Sequence, residues 1–117
     1  MPQRSGLSAC IITLNEADRI DACLDSLAFC DDVVVVDSGS TDDTRERATA
    51  RGARVLVRTF DGYRSQKDYA VGMAANDWVL CLDADERVTP ELAQQIAQVF
   101  AQENPVASAF AVARRNR

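Results

Sequence analysis

Asp83, Asp85 and Glu86 directly follow four apolar residues, Val79 to Leu82, so a strand-like run ends in three carboxylates. In an extended chain residues i and i+2 point the same way, which lets Asp83 and Asp85 address one site. At about 6 Å and an effective dielectric near 20, two such charges repel by roughly 2–3 kcal/mol. A divalent cation reverses the sign of that interaction. The chain contains no His and no C-x-x-C pair. An all-oxygen site therefore suits Mg²⁺ or Mn²⁺, which bind through one or two carboxylates and phosphate oxygens, better than zinc. The alternative is a solvated acidic turn partnered by Arg87, because a lone D-x-D is a weak motif.

Other residues with chemistry sit where similar runs end. Asp37 closes "VVVV" ahead of a Gly and Ser turn, where a carboxylate can accept hydrogen bonds from a base or ribose. Thr13 to Glu16 form the polar end of the first run, and Arg58 ends the third. Lys67 can meet a phosphate as a point charge, with Arg58 and Arg64 as neighbours or as solvated surface. Tyr63, Tyr69 and Trp78 read as packing residues, and the closing RRNR as a solvated end.

These positions require elements to hold them. Apolar runs at about Ser8–Leu14, Val33–Val36, Arg54–Val57 and Val79–Leu82 alternate with helical patterns. In the first helix Ile20, Cys23, Leu24 and Leu27 make one stripe. Ser40 reads as the cap of the second, with Asp43 as a weak capping box and Gly52 just past its end. A third helix is expected over about Arg64–Ala75. A fourth has Thr89 as cap, Pro90 at its first position and Leu92, Ile96, Val99 and Phe100 as its stripe. A last strand is expected over about Ser108–Ala113. Runs apolar on both faces, separated by single helices, predict a doubly wound, Rossmann-like, mainly parallel sheet in one α/β domain spanning 1–117. The polar strand ends then converge on the edge where such sheets bind ligands.

Composition narrows the function. The net charge of −5 excludes the basic footprint of a nucleic-acid binder, and 47% hydrophobic with 26% charged residues is a globular balance. Cys10, Cys23, Cys30 and Cys81 read as reduced core residues, consistent with the cytoplasm. The opening MPQRSG has no apolar h-region, and no run approaches the roughly 20 residues of a bilayer span. A soluble chain is expected, still able to sit on a membrane surface. "TLNEADR" has no Gly-rich turn, which argues against a dinucleotide-binding oxidoreductase. A receiver-type phosphoacceptor domain shares the length and the parallel sheet, but Asn15 and Glu16 replace its acidic pair.

The segments "IITLNEADRI", "VVVVDSGSTDDT", "FDGYRSQKDYAVGMAANDWVLCLDADE" and "ARRN" occur here in the order found in the family 2 glycosyltransferases, which the chain resembles from about Ser8 onward. The likeness is greatest to bacterial lipopolysaccharide-core glycosyltransferases, some described as β-glucosyltransferases. The resemblance implies the nucleotide-binding half of a GT-A fold and an inverting transfer from a nucleotide sugar, most simply a UDP-sugar, to a saccharide or glycolipid acceptor. It implies that Thr13, Asn15 and Glu16 form the first nucleotide motif, that Asp37 contacts the base and that Lys67 lies near the nucleotide. Asp83 would approach the ribose and Asp85 would bind Mg²⁺ or Mn²⁺, with Asp83 beside it. Leu14 stands where the family often has Tyr. A catalytic base is expected beyond residue 117, since Glu86 and Glu91 lie too near the metal motif. The fragment alone would then bind donor without transferring sugar. The family also implies the cytoplasm, or the cytoplasmic face of the inner membrane with the full-length enzyme peripherally attached. A sheet edge left open predicts self-association as a homodimer.

Overall fold

The protein, described by a computed structural model for residues 6–100 and 112–114, is built around one five-stranded sheet. Along the chain β1 (Leu7–Thr13), α1 (Ala17–Asp25), β2 (Asp32–Asp37), α2 (Thr44–Ala50) and β3 (Arg54–Val57) come first. They are followed by α3 (Tyr63–Gly72), β4 (Trp78–Asp83), α4 (Pro90–Phe100) and β5 (Val112–Arg114). The sheet order is β3-β2-β1-β4-β5; the first four strands are parallel and β5 runs antiparallel to β4. The expected mainly parallel sheet is therefore present, with one antiparallel edge strand of a kind common in such folds. Residues 108–111 of the expected last strand, together with Arg115 and Arg117, lie outside the described residues.

Period-two alternation divides the strands between two cores. Leu7, Ala9 and Ile11 of β1, Val33 and Val35 of β2, and Trp78, Leu80 and Leu82 of β4 pack with Ile20, Cys23, Leu24 and Leu27 of the first helical segment, Ala48 of α2 and Ile96 of α4. Cys10 and Ile12, Val34 and Val36, and Val79 and Cys81 pack on the other face with Tyr69, Ala70 and Val71 of α3. The expected stripe of α1 is confirmed. In α4, Ile96 is buried while Leu92 is 36% exposed, so Leu92 departs from the predicted stripe; the side chains of Val99 and Phe100 lie outside the described ones. β3 is an edge strand with both ends exposed, so the two-sided burial expected of it is not found.

Polar residues mark both ends of β2. At the amino end Asp32 accepts from Ser8 Oγ (2.9 Å), the Ala75 N–H (2.9 Å) and the Arg54 guanidinium (2.9 and 3.0 Å). These bonds outweigh a burial that by itself would raise the Asp32 carboxyl, and they hold it below the usual carboxylate range. At the carboxyl end stands Asp37. The winding reverses at β1, with β2 on one side and β4 on the other, which makes the carboxyl ends of these strands the crevice where α/β sheets receive ligands.

Candidate functional site

Two loops that leave the carboxyl edge are bound to each other. Asn15, with φ of 54°, ends the turn after β1, and its N–H donates to Ser40 Oγ at 2.8 Å. The N–H of Glu16 donates to Thr44 Oγ1 at 2.9 Å and that of Ala17 to Asp42 at 3.2 Å. In return Asn15 Oδ1 accepts from the N–H groups of Thr41 (2.8 Å) and Asp42 (3.3 Å). Ser40 is thus a latch between loops rather than the cap of α2, as its spacing suggested. Asp43 occupies the N-cap position of α2 but makes no side-chain cap bond; Asp42, one residue earlier, accepts from the Thr44 N–H at 3.0 Å and from the first N–H of α1.

Asp37 is the centre of this latch. It is fully buried, and its carboxylate accepts from Thr13 Oγ1 (2.7 Å), Ser40 Oγ (2.5 Å), the Ser40 N–H (2.7 Å), the Gly39 N–H (2.9 Å) and Arg45 Nη1 (3.3 Å). Burial alone would raise its carboxyl, but the hydrogen bonds from Ser40, Thr13 and Gly39 prevail and hold it below the usual range. Both oxygens are engaged inside the chain. The arrangement makes Asp37 the organiser of the turn, and the residue that reaches the cleft beside it is Ser38.

A second fastening joins β3 to α3. Gln66, fully buried, donates to Ser38 Oγ and to the Arg58 carbonyl (both 3.2 Å) and accepts from Arg58 Nη1 at 2.9 Å. The Arg58 guanidinium also donates to Asp61 (2.8 and 3.3 Å) and lies 5.1 Å over the Tyr69 ring. Arg58 is therefore committed to the fold. Arg64 and Asp68 form an exposed pair at 4.0 Å, which is worth little.

The cleft of about 580 Å³ at this edge is lined by Thr13, Leu14 and Glu16 from β1 and its turn, Ser38, Phe60, Tyr63 and Lys67, and Asp83 and Asp85. Thr13, Glu16, Lys67, Asp83 and Asp85 are thereby brought together; Asn15, exposed, and Asp37, buried, are not part of the lining and act through the loop contacts described above. β4 stops at Asp83, and Ala84 and Asp85 form a turn in which the Glu86 N–H donates to the Asp83 carbonyl (2.9 Å) and the Asp83 N–H donates to Glu86 Oε1 (2.8 Å). Asp85 thus leaves the extended chain on which the i, i+2 expectation rested. Ala84 is buried in the core between them, and the two aspartates reach the same cleft by way of the turn.

Among the described residues no Lys or Arg pairs with Asp83 or Asp85, and Arg87 does not fill the partner role foreseen for it. No group of three or more His, Cys, Asp or Glu side chains able to hold a metal occurs among them either. The donor set is two exposed carboxylates that form no ion pair among the described residues. That fits a hard divalent cation whose remaining positions are filled by ligand oxygens and water, as Mg²⁺ and Mn²⁺ commonly are.

Two lining residues were missed as site residues in the sequence. Tyr63 had the look of a packing residue but is 72% exposed, and Phe60, 43% exposed, lies edge-to-face with it. The available signal was an aromatic on either side of Gly62, just past the end of a strand. Tyr69 and Trp78 do pack against the cores, as expected.

The sequence profile of glycosyl transferase family 2 matches residues 8–117. An uncharacterised glycosyltransferase of Rickettsia felis is 46% identical over 99 residues, which cover 84% of this chain and 35% of that protein. A lipopolysaccharide core biosynthesis glycosyltransferase of Rhizobium meliloti is 34% identical over 114 residues, covering 93% of this chain and 42% of the relative. The chain thus spans about a third to two-fifths of the length of these relatives. Among solved structures, glucosyl-3-phosphoglycerate synthase of Mycobacterium tuberculosis in complex with UDP superposes with a TM-score of 0.62 at 32% identity, over 71% of this chain and 34% of that one. The same enzyme has been crystallised with Mn²⁺, UDP-glucose and phosphoglyceric acid.

Proposed function

The chain belongs to glycosyltransferase family 2, and on that premise we propose that it is the donor-binding part of a metal-dependent, inverting glycosyltransferase that uses a UDP-sugar. The observation that carries this reading is the pair of carboxylates, Asp83 and Asp85, which form no ion pair among the described residues and share with Lys67 one cleft at the reversal of the sheet. A divalent cation held by Asp85 and Asp83 would neutralise charge on the departing diphosphate. Lys67 adds a fixed positive charge on the α3 side. The Mycobacterium enzyme's complexes with UDP, Mn²⁺ and UDP-glucose support this choice of ligands. Family membership sets aside the receiver-type alternative.

In the proposed transfer an acceptor hydroxyl attacks the anomeric carbon from the side opposite the leaving nucleoside diphosphate. The new C–O bond forms as the bond to the diphosphate breaks, and the hydroxyl proton passes to a base. We place that base in the portion of the longer relatives that this chain does not span. The acceptor proposed is a saccharide of a lipopolysaccharide core, in keeping with the Rhizobium relative.

Calorimetric titration of UDP tests the donor site, with and without Mn²⁺, on the wild type and on Asp85→Ala. The expected result is binding that strengthens with Mn²⁺ in the wild type and loses that increment in the variant. A wild type that fails to bind UDP in the presence of Mn²⁺ would refute the reading.

A further inference from the structure

Phe60 and Tyr63 stand in the cleft with ring centroids 5.0 Å apart at an interplanar angle of 76°. Single exposed apolar residues are ordinary. This pair differs because the segment that carries it is tied down: Arg58 binds Asp61 and Gln66, Gln66 binds Ser38, and the Arg58 N–H donates to the Asp37 carbonyl at 2.9 Å. The rings are therefore held at a fixed place relative to the ends of β2 and β3. An edge-to-face pair uses one face of one ring, and with Tyr63 72% and Phe60 43% exposed the pair still offers ring surface to a planar group. No other aromatic residue lines the cleft among the described residues, and Leu14, which reaches it from β1, is aliphatic and 53% exposed.

We propose that the Phe60–Tyr63 pair is the platform on which the planar base of the nucleotide donor stacks, which leaves Lys67, Asp83 and Asp85 to address the diphosphate end. This assignment rests on the donor-site reading above. It gives the cleft two chemically distinct parts, an aromatic one for a base and a charged one for the cation and diphosphate. The residues that fix the platform, Arg58 and Gln66, act as positioning residues.

The test compares UDP with inorganic pyrophosphate, both with Mn²⁺, by calorimetry on the wild type, Phe60→Ala, Tyr63→Ala and Tyr63→Phe. Both rings are exposed, so their truncation leaves the cores intact, and melting curves verify folding. Stacking of a base on an aromatic ring corresponds to about a 5- to 150-fold change in affinity on truncation to alanine. Each alanine variant is expected to weaken UDP within that range and leave pyrophosphate unchanged, while Tyr63→Phe, which keeps the ring, binds UDP nearly as well as the wild type. Unchanged UDP affinity in both alanine variants overturns the platform, and so does an equal loss for UDP and pyrophosphate, which would mark the pair as structural. A wild type that binds pyrophosphate but gains nothing from the nucleoside overturns the platform while leaving the metal and diphosphate site standing. Failure to bind either ligand overturns the donor-site reading, and this assignment with it.

Discussion

Replacing Asp37 with Asn keeps the side chain's volume and removes its charge from a site with five donors at 2.5 to 3.3 Å. The Asn carbonyl can still accept from the N–H groups of Gly39 and Ser40. Its amide would then face the hydroxyls of Thr13 and Ser40, which must turn from donating to accepting, although Ser40 Oγ already accepts from the Asn15 N–H. Hydrogen bonds to an ionised group contribute about 1.5–3 kcal/mol against about 1 for neutral ones. Weakening two or three of them, together with losing the Arg45 pair, should cost roughly 2–4 kcal/mol, or about 8–16 °C in Tm for a chain of this size. The pH dependence follows from the direction of the shift. A carboxyl held below its unfolded value contributes stability that is present above about pH 4 and is lost as pH falls through the lower folded value. The gap between wild type and Asp37→Asn should therefore be widest near neutrality and close in acid. Thermal melts from pH 7 down to 3 measure it. A Tm within 1–2 °C of wild type at pH 7 (a rough margin for a surface site), or a gap that ignores pH, would refute the account of Asp37 as turn organiser. Weakened UDP binding with an unchanged melt would instead favour the direct base contact that the family resemblance implies.

Gly62 adopts φ 133° and ψ 150°, a region almost confined to glycine, with open space where a Cβ would lie. Gly62→Ala should lower stability by roughly 1–3 kcal/mol through backbone strain alone. Gly72→Ala, also facing open space but without a positive φ, should be neutral or slightly stabilising in the same melts. Cys81 and Cys10 are register partners on adjacent strands. A hydrogen bond with Cys10 brings the Cys81 thiol down to about 7; burial opposes this and the charge of Lys67 assists it. Alkylation of Cys81, followed by mass spectrometry, should rise through about pH 7, and Lys67→Met should move that midpoint upward. Cys23, pushed up to about 11 by burial and by Glu86, Asp85 and Glu16, should stay unmodified in the same experiment.

Much of the fold was legible because it is local. The apolar runs located β1, β2 and β4 to within a residue at each end or nearly so, Ile20 to Leu27 gave the stripe of the first helix, and Thr89 does cap α4, accepting from the Leu92 N–H at 3.2 Å. The end of α3 was set too late: the helix stops at Gly72, and the Ala75 N–H is bound to Asp32. The turn after β2 was misread for a related reason. Spacing rules assign Ser40 to its own helix, but its hydroxyl accepts from the Asn15 N–H of another loop, 25 residues away, and donates to Asp37. Cap rules cannot see such pairings. Of the cleft lining, the acidic turn, Thr13 and Glu16 were recoverable from their places at strand ends, and Lys67 from its place on the helix that follows the third strand. The burial of Asp37 and the exposure of Tyr63 depend on which loops meet, and a single sequence does not display that.

The two aspartates that bound β2 have a consequence for how that strand is measured. Strand register is ordinarily fixed by an apolar face that must not be turned outward. Four consecutive valines, buried alternately in two cores, provide no such mark, because a slip would replace one valine by another. The graduations are at the ends: Asp32 is bound to Ser8, and Asp37 to Thr13, so β1 and β2 are matched at two polar points with the four valines of β2 between them. β2 works as a ruler of fixed length. Exchange of its valines for other β-branched residues leaves the ruler intact, whereas adding or deleting one residue would detach one end or the other and carry the whole carboxyl edge out of alignment.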